Sequence, residues 1–421
     1  MTMQPWFPAA KLGIFIHYGI YAVDGVAESW SFFDGTVSHE AYMKQLDGFT
    51  ASRYDPRAWA DLFARAGAGY AVLTAKHHDG VALWEAPHSD LTVVRRTPAA
   101  RDLLAPFADA MRERDLKVGL YFSHADWNHP DYATVDNKHE PERPWNKFAY
   151  APPGQQDPSR WERFRADYHA QVIDLVTRYR PDLMWFDGEW ERSDSQWRSR
   201  ELGDEILRLG PQTVINARLR THADYATPEQ AIPFTPPEGP WELCLTINDS
   251  WGYRGGDQNW KTVRQIVRYF AETIGLGGNL LLDVGPREDG TIPTEAVERL
   301  EGLGRWVTKH AAAVYDTVAG LPPGHFYGPT TLSADRRTIH LVCVDDPREH
   351  LALRGLANRV KRVTVLGSGK ELSFRKDNGL DHMPGHTWIE APAAADIDPA
   401  ATVLSVELDG ELALYTGAGR A

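Results

Sequence analysis

Asp187 closes the run Pro181-Asp182-Leu183-Met184-Trp185-Phe186-Asp187-Gly188, where an apolar stretch ends in a carboxylate and glycine turns the chain. Such a run reads as a buried strand that finishes on a charged group. Side chains alternate along a strand, so Trp185 and Asp187 share one face, Phe186 points away, and the carboxylate stands above an aromatic wall. A nucleophile that acts on a sugar could be housed this way. For an isolated Asp-Gly pair a plain turn is the commoner meaning; repetition along the chain weighs against it here.

The same succession of apolar run and polar cluster recurs. Leu12-Gly-Ile-Phe-Ile ends on His17, and Tyr70-Ala-Val-Leu-Thr-Ala ends on Lys76, His77, His78 and Asp79. Lys117-Val-Gly-Leu-Tyr121-Phe-Ser ends on His124, Thr213-Val-Ile-Asn on Arg218, and Trp241-Glu-Leu-Cys-Leu-Thr-Ile on Asn248 and Trp251. An irregular stretch between the last two carries Glu229. Gathered at one place, His17, His77, His78, Tyr121, His124, Asp187, Arg218, Glu229, Asn248 and Trp251 would combine two carboxylates with imidazoles and indole faces. In glycoside chemistry one carboxylate attacks or stabilises the anomeric carbon while the other handles the leaving-group proton. Aromatic faces suit the C–H side of a sugar, and imidazole, arginine and asparagine give directional hydrogen bonds to its hydroxyls.

The elements that must position these residues alternate. Between the strands the pattern predicts helices from Pro56 to Arg65, Asp102 to Arg114, Pro158 to Arg180, Trp197 to Leu209 and Val263 to Ile274, with a last one from Thr294 to Val314. The strand Asn279-Leu-Leu-Leu-Asp-Val makes a seventh unit, and the eighth is unclear. Alternation of this kind predicts an α/β fold, a (β/α)8-like TIM-type barrel, ahead of an open doubly wound sheet. Every polar cluster falls just past a strand's carboxyl end, where barrel enzymes build their sites, and no glycine-rich dinucleotide fingerprint follows the first strand. The loop from Asn128 to Asp157 is too long for an ordinary connection and reads as functional or mobile. After Gly320 the cluster Pro322-Pro323-Gly324 breaks the pattern and short β-rich runs follow, which predicts a catalytic barrel over 1–320 and a small C-terminal β-sandwich over 321–421.

Composition narrows the partners. The 421 residues are 43% hydrophobic and 24% charged, an ordinary globular balance. A net charge of −13 without a basic patch argues against nucleic acid. Cys244 and Cys343 lack any metal-type spacing. With no basic and apolar leader and no apolar run near 18 residues, the chain reads as soluble and cytoplasmic, unless a leader has been removed, and no membrane partner is expected.

Taken together the motifs resemble the α-L-fucosidases of glycoside hydrolase family twenty-nine, over roughly the first 315 residues. They are Lys-Leu-Gly-Ile-Phe-Ile-His17-Tyr-Gly, Leu-Thr-Ala-Lys-His77-His78-Asp-Gly, Gly-Leu-Tyr121-Phe-Ser, Trp-Phe-Asp187-Gly and Gly-Gly-Asn279-Leu-Leu-Leu-Asp-Val-Gly-Pro. The resemblance implies a retaining mechanism on fucosylated oligosaccharides or glycoconjugates, with Asp187 as nucleophile and no cofactor or metal. It implies that His17, His77, His78, Tyr121 and Arg218 hold the sugar hydroxyls, that Trp251 faces the ring, and that Glu229 is the acid/base. Glu28 and Trp30 stand where family members carry Glu directly followed by Trp; here Ser29 is inserted between them. Among rival acids, Glu242 begins a strand and reads as structural, and Glu189 reads as a solvated loop acid.

Two other classes stay in view. A metal-dependent hydrolase could use His17, His77, His78 and His124, but adjacent His77 and His78 on a regular strand would point to opposite faces. A non-catalytic sugar-binding protein would have little need of both Asp187 and Glu229.

Overall fold

Strands form where apolar runs can be buried on both faces, and helices form where capping residues precede an amphipathic stretch. In the computed structural model, which describes residues 3–138, 141–377, 379, 383–415 and 417, the main elements in chain order are β1 (Leu12–Ile16), α1 (Pro56–Ala66), β2 (Tyr70–Lys76), α2 (Leu104–Arg112), β3 (Lys117–Ser123), α3 (Pro158–Tyr179), β4 (Leu183–Asp187), α4 (Ser199–Leu209), β5 (Val214–Ile215), β6 (Glu242–Thr246), α5 (Val263–Gly275), β7 (Asn279–Val284) and α6 (Thr294–Lys309), with shorter helical turns between them. His139 and Glu140 of the predicted 128–157 loop, and parts of the predicted 321–421 domain, lie outside the described residues. Asp55 and Asp157 cap α1 and α3 by accepting backbone N–H groups, each ahead of a proline in the first turn. Thr262 and Gln265 form a capping box on α5.

The seven strands make one parallel sheet in the order β5-β4-β3-β2-β1-β7-β6. Its gap between β5 and β6 is filled by the irregular stretch Tyr225–Glu229, where the sequence pattern left the eighth unit unclear. Tyr225 bridges Asn216, Ala226 bridges Trp241 and Glu229 bridges Cys244, all in parallel sense, so the sheet curls into a (β/α)8-like barrel whose closing segment carries Glu229. Pro228 cannot donate to a ladder, but its C=O accepts the Cys244 N–H at 3.0 Å and the closure holds. Rings and aliphatic groups from Phe15, Tyr70, Val72, Tyr121, Trp185, Tyr225 and Leu281 fill the barrel interior, while a larger apolar layer lies between strands and helices.

Three elements differ from the pattern's expectation. The fifth strand has two residues and gives way to a 3-10 turn, Ala217–Leu219, that turns Arg218 inward. The helix expected from Trp197 splits at Arg198, whose φ of 49° is left-handed and cannot continue a helix. The final helix ends at Lys309 and a 3-10 turn, Ala311–Ala313, follows.

The C-terminal part is antiparallel. β8 (Thr317–Ala319), β9 (Thr330–Ser333), β10 (Thr338–Cys343), β12 (Val360–Val365) and β15 (Thr402–Leu408) form one sheet, and β11 (Leu351–Leu353), β13 (Phe374–Lys376) and β14 (Thr387–Ile389) a second. Trp306 on α6 donates to the Ala401 carbonyl at 2.8 Å and Lys309 meets Asp398 at 2.6 Å, fastening this part to the barrel. Both cysteines are buried and free. Among the described residues no helix is long and apolar enough to cross a membrane.

Candidate active site

Because β1 to β4 run in parallel and end together, His17, His77 and Tyr121 arrive beside Asp187 at one mouth of the barrel. A cavity of about 130 Å³ there is lined by Asp187, Glu229, His17, Glu28, Trp30, His77, His78, Tyr121, Trp185, Arg218 and Trp251, together with Phe15, Trp190 and Cys244. Larger hollows, of about 340 and 770 Å³, lie elsewhere and are lined by none of these side chains.

Arg218 organises the carboxylates. One guanidinium nitrogen lies 2.5 Å from Asp187 Oδ1, the other pairs with Glu229 Oε1, and Nε donates to Thr227 Oγ1 at 3.1 Å. The guanidinium also lies over the Trp185 ring, 4.7 Å from its centroid, which the delocalised cation favours. Burial works against its charge, but Asp187, Glu229 and Glu189 outweigh burial and raise its pKa. Tyr121 donates to the second oxygen of Asp187 at 2.9 Å, and burial followed by the charge of Asp187 lifts the phenol pKa, so it remains a donor. Asp187 is thus gripped on both oxygens.

Three imidazoles surround this pair. His17 Nδ1 meets Asp283 Oδ1 at 2.6 Å; burial opposes its charge, yet Asp283, with Glu28 and Asp187, raises its pKa. His77 and His78 follow the last residue of β2, so the alternation of a regular strand no longer governs them. Contrary to the expectation of opposite faces, both line the pocket, with ring centroids 4.2 Å apart. Among the described residues no group of three or more His, Cys, Asp or Glu has the arrangement of a metal site.

The extra residue Ser29 is absorbed by a one-residue kink. Its φ of 47° and ψ of −44°, with the Trp30 N–H turned back to the Glu28 carbonyl, make a γ-turn of the strained hand. Glu28 and Trp30 consequently both reach the pocket. Glu28 accepts the Gly252 N–H at 3.3 Å, and burial raises its pKa.

Two members of the polar constellation do not line the cavity. His124 is buried behind it, with Nδ1 at 2.6 Å from the Tyr168 hydroxyl and Nε2 at 3.1 Å from the Arg218 carbonyl, so it braces the turn that carries Arg218. Asn248 is spent on its own loop, where its side-chain oxygen accepts the Ser250 N–H. Glu189 is not a solvated loop acid: it is largely buried, one oxygen lacks a partner among the described residues, and burial followed by Asp187 pushes its pKa up to about 7. Glu242 lies inside the barrel and accepts from Tyr70 and Trp185.

Sequence reasoning missed Phe15, Trp190, Cys244 and the support given by Asp283. Asp283 had a signal, a carboxylate within an otherwise apolar strand; Trp190 had none, because the 3-10 turn Glu189–Glu191 that aims it has no periodic pattern.

A curled parallel barrel that brings two carboxylates under one guanidinium, beside indoles and imidazoles at its strand ends, defines a glycoside hydrolase. The α-L-fucosidase family model matches residues 1–312, and the chain belongs to that family. It is 33% identical to the tissue α-L-fucosidase of Rattus norvegicus over 338 residues, 74% of this chain and 69% of that protein. Among solved structures, α-L-fucosidase isoenzyme 1 from Paenibacillus thiaminolyticus is 34% identical, with a TM-score of 0.84 over 96% of this chain and 98% of that one. The α-fucosidase of Thermotoga maritima in complex with fucose is 29% identical, with a TM-score of 0.77 over 96% and 97% of the two chains.

Proposed function

We infer that this protein hydrolyses terminal α-L-fucosyl residues of oligosaccharides or glycoconjugates with retention at the anomeric carbon, with Asp187 as nucleophile and Glu229 as acid/base. The observation that carries the reading is the single Arg218 guanidinium that reaches both carboxylates. A retaining pair stands about 5–5.5 Å apart, without the extra gap that admits a water in inverting enzymes, and one planar fork bridging both groups suits the shorter spacing. A cavity of about 130 Å³ suits one sugar ring, in keeping with attack on a terminal residue.

In the first step an Asp187 oxygen forms a bond to the anomeric carbon as the bond to the leaving oxygen breaks, and Glu229 gives that oxygen its proton. In the second, Glu229 takes a proton from water, the hydroxide oxygen bonds to the anomeric carbon, and Asp187 departs as carboxylate. Tyr121 and Arg218 keep donors on Asp187, stabilising it as leaving group and fixing its approach. An aryl α-L-fucoside hydrolysed while the product is followed by proton NMR tests this. The reading requires α-L-fucose as the first-formed anomer, and the β-anomer appearing first would overturn it.

A further inference from the structure

His77 and His78 are neighbours in sequence, and the Nδ1 of each ends on a serine hydroxyl, but the two serines are committed differently. Ser29 Oγ already accepts the Asp79 N–H at 2.8 Å and lies 2.6 Å from His77 Nδ1. A hydroxyl has one proton, and among the described residues no other acceptor meets it, so that proton goes to Nδ1. Ser123 Oγ instead donates to the Ala125 carbonyl at 2.7 Å; at 2.5 Å from His78 Nδ1 it must accept, and there Nδ1 carries the hydrogen. Burial favours the neutral form of both rings. Burial first, and neighbouring histidines second, put the His77 pKa well below its ordinary value and that of His78 at about 3. A neutral imidazole has one N–H, so Nε2 of His77 is a donor and Nε2 of His78 an acceptor. Among the described residues neither Nε2 is hydrogen-bonded to protein, and that of His78 lies 3.6 Å from Asp187 Oδ2.

We propose that Ser29 and Ser123 lock His77 and His78 in opposite tautomers, so that the pocket offers an N–H from one imidazole beside a lone pair from the next and reads the direction of neighbouring sugar hydroxyls. This rests on the reading that the cavity holds a fucosyl ring. Ser29 is then a positioning residue. Its backbone supports this view: at φ 47° glycine would sit more easily, and the side chain kept at that strained position is the one that supplies a proton to His77. The hydroxyl facing His77 must accept, and the one facing His78 must donate, either to that ring or to Asp187.

The test combines NMR of the full-length enzyme labelled with 15N-histidine and kinetics on an aryl α-L-fucoside and its monodeoxy derivatives. In the wild type, His77 should show an unprotonated Nδ1 and a protonated Nε2, and His78 the reverse. Ser29→Gly, which eases the backbone and removes the hydroxyl, should turn the His77 signals into a tautomer mixture. It should raise KM about tenfold with little change in kcat, as expected for a hydrogen bond made equally in ground and transition states. That loss should vanish on the one monodeoxy substrate lacking the hydroxyl that His77 serves. Ser29→Ala, which keeps the backbone cost, should match Ser29→Gly. Like tautomers on both rings in the wild type, or a wild-type KM in Ser29→Gly with loss only in Ser29→Ala, would overturn the proposal. Absence of turnover by the wild type with the opposite tautomers intact would sink the fucosidase reading while leaving the imidazole pair standing.

Discussion

Glu242 Oε1 accepts the indole N–H of Trp185 at 2.9 Å, so the aromatic wall beside Asp187 is fixed to a carboxyl group buried inside the barrel. Burial is the dominant influence and pushes the Glu242 pKa up to about 7, against the hydrogen bonds from Tyr70 and Trp185. The folded protein therefore holds this proton more tightly than the unfolded chain does. Its contribution to stability is fully present below the ordinary carboxylate pKa and is lost as pH rises to about 7. Glu242→Gln cannot titrate at this position. The stability of wild type relative to this variant should fall by on the order of 3 kcal/mol between about pH 4.5 and pH 7.5. Denaturant titrations at a series of pH values measure it, and a difference that stays flat would mean the carboxyl does not titrate as its burial requires.

An apolar wall gives the pocket a specificity that can be tested. Phe15 stands between Trp185 and Trp251, with ring centroids 5.1 and 6.3 Å away. Such a wall suits the C6 methyl of fucose, whereas a C6 hydroxyl would lie against rings with no partner. An unsatisfied buried hydroxyl costs roughly 1–3 kcal/mol, or about one to two orders of magnitude in kcat/KM. An aryl α-L-galactoside, which differs from the fucoside by that hydroxyl, should be turned over that much less well. Equal turnover would place the wall elsewhere in the complex.

These rings also show what the sequence could and could not reveal. Apolar runs closing on polar residues are buried strands whose ends meet, so His17, Tyr121, Asp187 and Arg218 were legible as one group. The closing segment was not. Tyr225–Glu229 is held by isolated bridges to Asn216, Trp241 and Cys244, and contacts with neighbours remote in sequence leave no periodicity in the segment itself. The same limit hid the common orientation of His77 and His78, because both lie just beyond β2 and their directions are set by Ser29 and Ser123. His124 also ends a strand and so could be read as a ligand contact or as a structural histidine; its neighbours Tyr168 and Arg218 make it a brace.

The acid/base assignment separates three glutamates, of which Glu28 is buried, Glu189 half-buried and Glu229 exposed. Glu229 shares Arg218 with Asp187, Glu189 is pushed up to about 7, and Glu28 is raised by burial. If Glu229 supplies the proton, Glu229→Ala should spare the first step for aryl fucosides whose leaving groups need none. Fucosyl oligosaccharides, whose alkoxide must be protonated, should lose roughly 10²–10⁴-fold. Steady-state rates on both substrate types decide it. Oligosaccharide hydrolysis within a few-fold of wild type would move the role to Glu189, whose raised pKa already suits an acid, or to Glu28.

Asp187 has the sharpest test, because its loss changes the product as well as the rate. The carboxylate is the one group held by Tyr121 and Arg218 at the strand end, and Asp187→Ala removes the only atom placed to bond the anomeric carbon in this reading. Hydrolysis of every α-L-fucoside should therefore be abolished, good leaving groups included. The variant keeps the Arg218 cation beside the space vacated, so a small anion should enter there. Azide attacking the face that Asp187 formerly attacked would give β-L-fucosyl azide from an aryl α-L-fucoside, an inverted product that is not turned over further. Recovery of turnover with azide, and the β configuration by NMR, is the expected pair of results. Residual retaining hydrolysis without azide would assign the covalent step to another carboxylate, with Glu189, next along the same turn, first to be tried.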